Sequence, residues 1–309
     1  MQRLRDSFVL VTGGRGFIGR AVTKLLQRSE HRVISLDQSE AMHAGASEEQ
    51  SLQQVICDIT DMAQLSRVFA AQPVGAIIHL AAVLPTAAQR NPVRATQVNV
   101  QGSLNLLEIA RRFAVDRFVF GSSLSVYGTW QSDSAVSESD RAAAEDLYGA
   151  TKLYVEQLGS AYRNSHGMDF VSLRIGRVVG PGAESETSAW RSQIFELPGT
   201  TQPADISLPY AASERLLVVH VDDVAKMLVM LAEAPSLNHT IYNAPCESIS
   251  VSDLKRGIES LDVKINLKLG EQKALGNPQV LDSSRFENEF RLRTVPILEQ
   301  LRLAAAKSS

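Results

Sequence analysis

Cysteine is scarce: Cys57 and Cys246 are the only two among 309 residues. Two thiols build no disulfide framework, so a reducing, cytoplasmic setting is the expectation, with both as buried free thiols. Long apolar runs are missing as well. No stretch approaches the ~20 apolar residues that span a bilayer, so no membrane partner is expected. Met1-Gln2-Arg3-Leu4-Arg5-Asp6 leads straight into Phe8-Val9-Leu10-Val11. That run is too short for a secretory leader and is followed by glycines in place of a cleavage site. Excess positive charge is absent too: 31 Lys and Arg stand against 34 Asp and Glu, a formal charge of -3. No nucleic-acid partner is expected, because nothing is left over to neutralise phosphates. Internal repeats and low-complexity segments are also lacking. The remainder, 44% hydrophobic and 21% charged, is ordinary for a globular protein. The length suits one large α/β unit, or a nucleotide-binding domain with a smaller companion.

Strand-like and helix-like segments alternate from the start, the pattern of a parallel sheet with crossover helices. Phe8 to Thr12 reads as a first strand, and Phe17 to Arg28 carries apolar residues at helical spacing. His31 to Leu36 is a second strand, ended by Asp37, and a further strand ends near Cys57-Asp58-Ile59. Ala76 to Leu80 and Arg117 to Phe120 are nearly continuous apolar runs, as expected of strands covered on both faces. Pro92 to Phe113 and Asp146 to His166 read as long helices, and Phe170 to Ile175 as a sixth strand. Beyond about residue 175 the rhythm changes. Gly180-Pro181-Gly182, Pro198, Pro203 and Pro209 punctuate a looser segment. A helix over Asp222–Ala234 and a strand over His239–Asn243 are expected to return to the main sheet. Residues 1–175 are therefore read as one domain and 176–309 mainly as a smaller lobe, with parts of 215–245 rejoining the first. Ala304 to Ser309 reads as a frayed helix end.

Thr12-Gly13-Gly14-Arg15-Gly16-Phe17-Ile18-Gly19 joins the first strand to the first helix. It satisfies G-x-G-x-x-G from Gly14 and Gly-x-x-Gly-x-x-Gly from Gly13. A tight turn, backbone contact with a pyrophosphate and close helix–strand packing each favour a residue without Cβ. The helix start then offers free N–H groups and the positive dipole end. An ordinary glycine-rich turn is the bland alternative, and the flanking strand, helix and downstream acid weigh against it. Asp37 follows Gly19 by eighteen residues, where a carboxylate accepts both ribose hydroxyls of NAD and repels the 2′-phosphate of NADP. Arg15 is the one nearby residue that pulls the other way. Asp58 and Ile59 fall where the adenine end would lie, although a plain loop Asp fits that place nearly as well.

Six tyrosines occur, and only Tyr148 has a lysine, Lys152, four residues later. On a helix that spacing places both on one face. Lys152, together with an oxidised nicotinamide, is expected to stabilise the phenolate and bring Tyr148 down from its ordinary ~10. A tyrosine so tuned exchanges a proton with a carbinol while hydride moves to or from a cofactor.

With these motifs the chain resembles the extended short-chain dehydrogenase/reductases, also called NAD-dependent epimerase/dehydratases. The likeness runs through residues 7 to 180. It rests on the glycine loop, His79-Leu80-Ala81-Ala82, Asn99-Val100-Gln101-Gly102, Ser122-Ser123-Leu124-Ser125-Val126-Tyr127-Gly128 and Tyr148-x-x-x-Lys152. Val219-His220-Val221-Asp222-Asp223 is a weaker echo. The resemblance implies a doubly wound Rossmann sheet with a smaller C-terminal substrate-binding lobe, NAD as cofactor and no metal. It implies that Ser123 hydrogen-bonds the reacting oxygen and that Leu80, Ala81 and Ala82 lie along the nicotinamide side. Asn99 becomes a buried, helix-supporting polar group beside the site. A homodimer pairing the helices that contain Asn99–Phe113 (the helix read from Pro92) and Tyr148–His166 is likewise implied, a C₂ arrangement being the commonest.

Departures from the family's pattern narrow the reaction. Sugar dehydratases carry an acidic pair after the serine, where this chain has Leu124 and Ser125. Sugar-nucleotide epimerases carry a diphosphate-gripping Arg where this chain has Leu216, with Arg215 one position off, and an Asn where it reads Gly176-Arg177. Trp190 to Glu196 with Pro198-Gly199 bears a faint likeness to D-erythronate-type dehydrogenases, which act on small hydroxy acids or sugar acids. Ser125, Arg177 and Trp190 are the candidate substrate contacts, and Arg174, Arg177 and Arg191 the candidate partners for a carboxylate. For each arginine a structural role is as strong a reading, and Trp190 fits a pocket wall or a packed aromatic equally. The first functional reading is an NAD-dependent dehydrogenase for a small polar substrate, and the second a nucleotide-sugar 4-epimerase. A third, an NAD-binding regulator without chemistry, is opposed by the intact Ser123, Tyr148 and Lys152.

Overall fold

The computed structural model describes residues 6–39, 51–130, 134–183, 188–196, 204–261 and 265–307. Met1 to Arg5, Pro198, Gly199, Pro203, Ser308 and Ser309 lie outside the described residues.

The first half alternates as read: β1 (Phe8–Thr12), α1 (Phe17–Arg28), β2 (Arg32–Asp37), β3 (Leu52–Ile56), α2 (Met62–Ala71) and β4 (Val74–His79). Then come α3 (Pro85–Arg90), α4 (Pro92–Thr96), α5 (Ser103–Arg112), β5 (Arg117–Ser123), α6 (Leu147–His166) and β6 (Phe170–Ile175). The C-terminal part holds β7 (Arg177–Val179), α7 (Trp190–Glu196), β8 (Ala204–Tyr210), β9 (Arg215–His220), α8 (Val221–Glu233) and β10 (Ile241–Asn243). It ends with β11 (Glu247–Ser250), α9 (Val251–Glu259), β12 (Ile265–Gln272), α10 (Ser284–Phe290) and α11 (Ile297–Lys307).

Seven parallel strands form the main sheet in the order β10-β6-β5-β4-β1-β2-β3. This is a doubly wound Rossmann sheet whose order reverses between β1 and β4. Side-chain alternation explains why both faces are covered. In β1, Val9 and Val11 enter the core under α1 and α8, while Phe8 and Leu10 enter the opposite core with α2 and α5. All five residues of β1 are buried; at ~1.5–3 kcal/mol per buried Val, Leu or Phe, such strands anchor the fold. The expected return to the sheet occurs. α8 packs on α1, and β10 pairs with β6 at the sheet edge.

The C-terminal strands build two small sheets, β11-β9-β7 and β12-β8, over a separate apolar core containing Trp190, Ile194, Ile206, Leu216 and Leu267. The expected single helix over Pro92 to Phe113 is interrupted. A wide turn at Gln97–Gly102 separates α4 from α5. Wide turns of this kind mark places where a helix re-aims one side chain. Here Asn99 accepts the Val83 N–H at 2.7 Å and donates to the Val83 carbonyl and to Thr151 Oγ1, at 3.1 and 3.2 Å. Among the described residues no helix is long and apolar enough to cross a membrane. Both cysteines are free. Cys57 is buried and Cys246 half-buried, and burial pushes their thiols up to about 11 and about 12.

Candidate active site

A cleft of about 850 Å³ lies at the C-terminal ends of β1, β2, β4, β5 and β6. That is where an open parallel sheet binds its ligands. The glycine loop forms its floor. Gly13 has φ of +65°, and a Cβ there would stand 2.9 Å from the Ala81 nitrogen. A Cβ on Gly19 would reach within 2.0 Å of the Gly13 carbonyl oxygen, so the loop folds tightly onto the start of α1. Gly16 caps α1 without a side chain, leaving the N–H groups of Phe17, Ile18 and Gly19 without intrahelical acceptors. All of these residues except Gly14 and Arg15 line the cleft. The chain therefore offers backbone donors and a helix dipole to an anion and leaves room for it, which fits the pyrophosphate of a dinucleotide.

Asp37 closes β2 at the cleft edge. Its carboxylate accepts the N–H of Arg15 at 3.3 Å and of Gln38 at 2.8 Å. The Arg15 guanidinium donates to the Ser39 carbonyl and to Gln54 Oε1. Asp58 and Ile59 also line the cleft. The Asp58 carboxylate accepts from Thr60 at 2.9 and 2.8 Å and from Arg94 at 3.0 Å. Burial raises its pKa, and these bonds outweigh that and hold it below the usual carboxylate value. Leu80, Ala81 and Ala82 form the wall after β4. Beneath them Thr12 Oγ1 takes the N–H groups of Leu80 and Ala81, both at 3.2 Å. His79 sits between Thr12 (2.6 Å) and Ser103 (2.8 Å), and burial keeps it neutral down to about 3.

Tyr148 and Lys152 stand on the cleft side of α6, whose N-cap Asp146 accepts the Gly149 N–H at 2.6 Å. Ser123 ends β5 and holds the following turn by accepting the Ser125 N–H at 3.1 Å. Ser123 and Tyr148 stand together at the cleft wall. Lys152 is buried, donates to the Gly121 carbonyl at 2.7 Å and lies 5.6 Å from the centroid of the Tyr148 ring. Burial raises the Tyr148 hydroxyl above its ordinary value, Asp146 adds to the rise, and Ser123 opposes it. Burial also pushes the Lys152 ammonium down to about 7.

Ser125, Arg177 and Arg191 reach the cleft; Asn99 and Trp190 do not line it. Asn99 is committed to Val83 and Thr151, and Trp190 is buried in the core of the C-terminal lobe. Arg174 is committed as well. Its guanidinium binds the fully buried Glu156 at 3.0 and 2.7 Å, which removes it from the candidates for a substrate carboxylate.

Arg177 and Arg191 differ from Arg174. No carboxylate among the described residues pairs with either. The buried Arg191 Nε has no hydrogen-bond partner among the described residues. Burial pulls the Arg191 guanidinium down, and Arg177 nearby adds to the fall. Tyr210, which the sequence reading missed, lies near both: the Arg177 guanidinium is 5.6 Å from its ring centroid, and Tyr210 opposes the fall of the Arg191 guanidinium. Tyr210 ends a strand held only by its distant partner β12, so no local motif announces it. Leu216 is buried in the lobe core, and Arg215 beside it is bonded to Ser248 at 3.2 and 2.9 Å.

Known proteins resemble this chain in sequence and fold. The chain is 34% identical over 180 residues to the UDP-glucose 4-epimerase of Erwinia amylovora, covering 56% of this chain and 53% of that one. It is 33% identical over 191 residues to UDP-glucuronate 4-epimerase 3 of Arabidopsis thaliana, covering 58% and 44%. The chain thus spans about half the length of the curated relatives it matches. The crystal structure of the Thermus thermophilus UDP-glucose 4-epimerase in complex with NAD superposes with a TM-score of 0.81 at 25% identity, covering 97% of this chain and 98% of that one. The L-threonine dehydrogenase of Clostridium difficile superposes at 0.86 with 23% identity and 98% coverage of both chains, a likeness of fold. The model of the NAD dependent epimerase/dehydratase family matches residues 9–244, and the chain belongs to that family.

Proposed function

We propose that this chain is an NAD-dependent oxidoreductase that interconverts a secondary alcohol and a ketone on a small polar substrate, a sugar-like compound or hydroxy acid. The carrying observation is the convergence of Ser123, Tyr148 and Lys152 at one wall of the cleft whose floor is the glycine loop. In this reading Gly13, Gly16, Phe17, Ile18 and Gly19 hold the pyrophosphate, and Asp37 the adenosine ribose. Asp58 and Ile59 flank the adenine, Leu80, Ala81 and Ala82 flank the nicotinamide, and Asn99 supports that wall from behind. Bound NAD supplies the hydride acceptor, and family membership supports NAD as the cofactor. The Ser123 hydroxyl donates to the reacting oxygen and fixes its position. Tyr148 takes the carbinol proton at its phenolic oxygen, or returns it in the reverse direction. Lys152 sets a positive charge beside the forming phenolate. Ser125 and Arg177 contact the substrate, for which residues 176–309 supply most of the remaining wall.

Arg177 and Arg191 support an acidic substrate. A buried guanidinium with an unused donor is costly unless an anion meets it, and a carboxylate accepts two parallel N–H bonds. Leu216 in the core and Arg215 bound to Ser248 support a substrate without a nucleoside diphosphate. A second reading, a nucleotide-sugar 4-epimerase, draws its support from the names of the relatives. A homodimer in the cytoplasm completes the proposal; exposed Val93 and Tyr154, on α4 and α6, support the pairing face, and the free cysteines support the compartment.

Incubation with NAD and a panel of hydroxy acids and sugar acids tests this reading. Stoichiometric NADH from one of the acids is expected, with no micromolar binding of UDP or dTDP by calorimetry. Micromolar binding of either nucleotide, with no net NADH, overturns it in favour of the epimerase.

A further inference from the structure

Three successive residues of β5 face one side of α6. Ser123 stands beside Tyr148 at the cleft wall, the Gly121 carbonyl accepts from Lys152 at 2.7 Å, and Ser122 Oγ donates to Glu156 at 2.6 Å. Tyr148, Lys152 and Glu156 are spaced four apart, which aligns them along the helix. The third rung lies outside the chemistry proposed above. Glu156 is fully buried, and its other contacts are Ser172 Oγ at 3.2 Å and the Arg174 guanidinium, both on β6. Stability alone is a weak reason for such a pair, since well-packed apolar residues of similar volume often serve as well or better. Its position, one turn beyond Lys152, suggests another role.

We propose that Glu156 is a positioning residue for the reaction: its carboxylate locks Ser122, and so Ser123, to the helix of Tyr148 and Lys152, and sets a negative charge against the Lys152 ammonium. The second half is supported by the spacing of Glu156 one helical turn from Lys152, whose ammonium burial drives down to about 7 against the opposing pull of Glu156. The other titratable groups around Lys152 are Tyr148 on its own helix, His79 on β4, held neutral, and Arg174 on β6, engaged with Glu156. The consequence for turnover rests on Tyr148 being the acid/base, whereas the charge and the clamp can be read without that premise.

The test is an NMR titration of the protein labelled with ¹³C at the lysine ε carbon, the Lys152 signal being assigned by its loss in Lys152→Met. Glu156→Gln with Arg174→Met removes both buried charges together and leaves neither unpaired. The Lys152 midpoint in this double variant is expected to fall by about one pH unit. A folded double variant whose midpoint equals that of wild type overturns the electrostatic half. Glu156→Asp keeps the charge and shortens the reach to Ser122. It should hold the midpoint near that of wild type while turnover falls about tenfold, the scale of a misplaced reacting group. Full turnover in Glu156→Asp overturns the positioning half. If Tyr148→Phe retains turnover, the acid/base reading fails by itself, and the Lys152 midpoint still decides on Glu156.

Discussion

The Lys152 ammonium donates a 2.7 Å hydrogen bond to the carbonyl of Gly121, two residues before Ser123. Burial pushes this lysine down to about 7 in the folded chain, against an ordinary 10.5. Between those values the unfolded chain binds the extra proton, so stability should rise with pH across that window, by at most ~1.4 kcal/mol per pH unit. Urea unfolding at about pH 7 and about pH 9 should show wild type gaining roughly 2 kcal/mol and Lys152→Met much less. An equal gain in both proteins would assign the pH dependence to other groups.

Cofactor choice should follow Asp37. Replacing it by Ala or Ser removes the ribose acceptor and the charge that repels a 2′-phosphate. Weaker NAD binding and relaxed discrimination against NADP are expected in steady-state kinetics. A wild type that already prefers NADP would contradict the placement of Asp37 at the ribose.

The arginines of the C-terminal lobe should divide by their partners. Arg191→Met and Arg177→Met each remove a guanidinium that no carboxylate neutralises among the described residues. Each should raise KM for an acidic substrate by about ten- to a hundredfold, the scale of one charge-assisted hydrogen bond. Arg215→Met, which breaks only the contact with Ser248, should leave KM unchanged. The opposite pattern would relocate the substrate's anionic group.

What could be read in advance was local in sequence. The glycine loop, Asp37 and the Tyr148–Lys152 pair each lie within one strand–turn–helix unit, where spacing dictates geometry. The wide turn at Gln97–Gly102 was not foreseen: Asn99 within it bonds Val83 and Thr151 on other segments, and no local spacing announces those partners. The burial of Trp190 and the convergence of Tyr210 with Arg191 depend on the packing of β8 with β12, whose pairing spans some sixty residues. For Arg174 the sequence left a structural role and a substrate contact equally open, and the structure selects the first. Its partner Glu156 stands on a different element, and nothing in the spacing joins them.

Assembly is open to direct measurement. Light scattering at micromolar concentration should give about twice the chain mass of 33.7 kDa. Val93→Glu or Tyr154→Glu, both at exposed positions on the proposed pairing face, should shift the mass toward one chain. A wild type that runs as a single chain would remove the dimer from the account.

The central claim is that Tyr148 moves the proton. Tyr148→Phe deletes one oxygen and leaves the glycine loop and Asp37 untouched. The measurement is NADH formation by this variant, with NAD affinity determined on the same preparation. Turnover lowered by ~10² or more with NAD affinity retained is the predicted result. Near-normal turnover would contradict the mechanism.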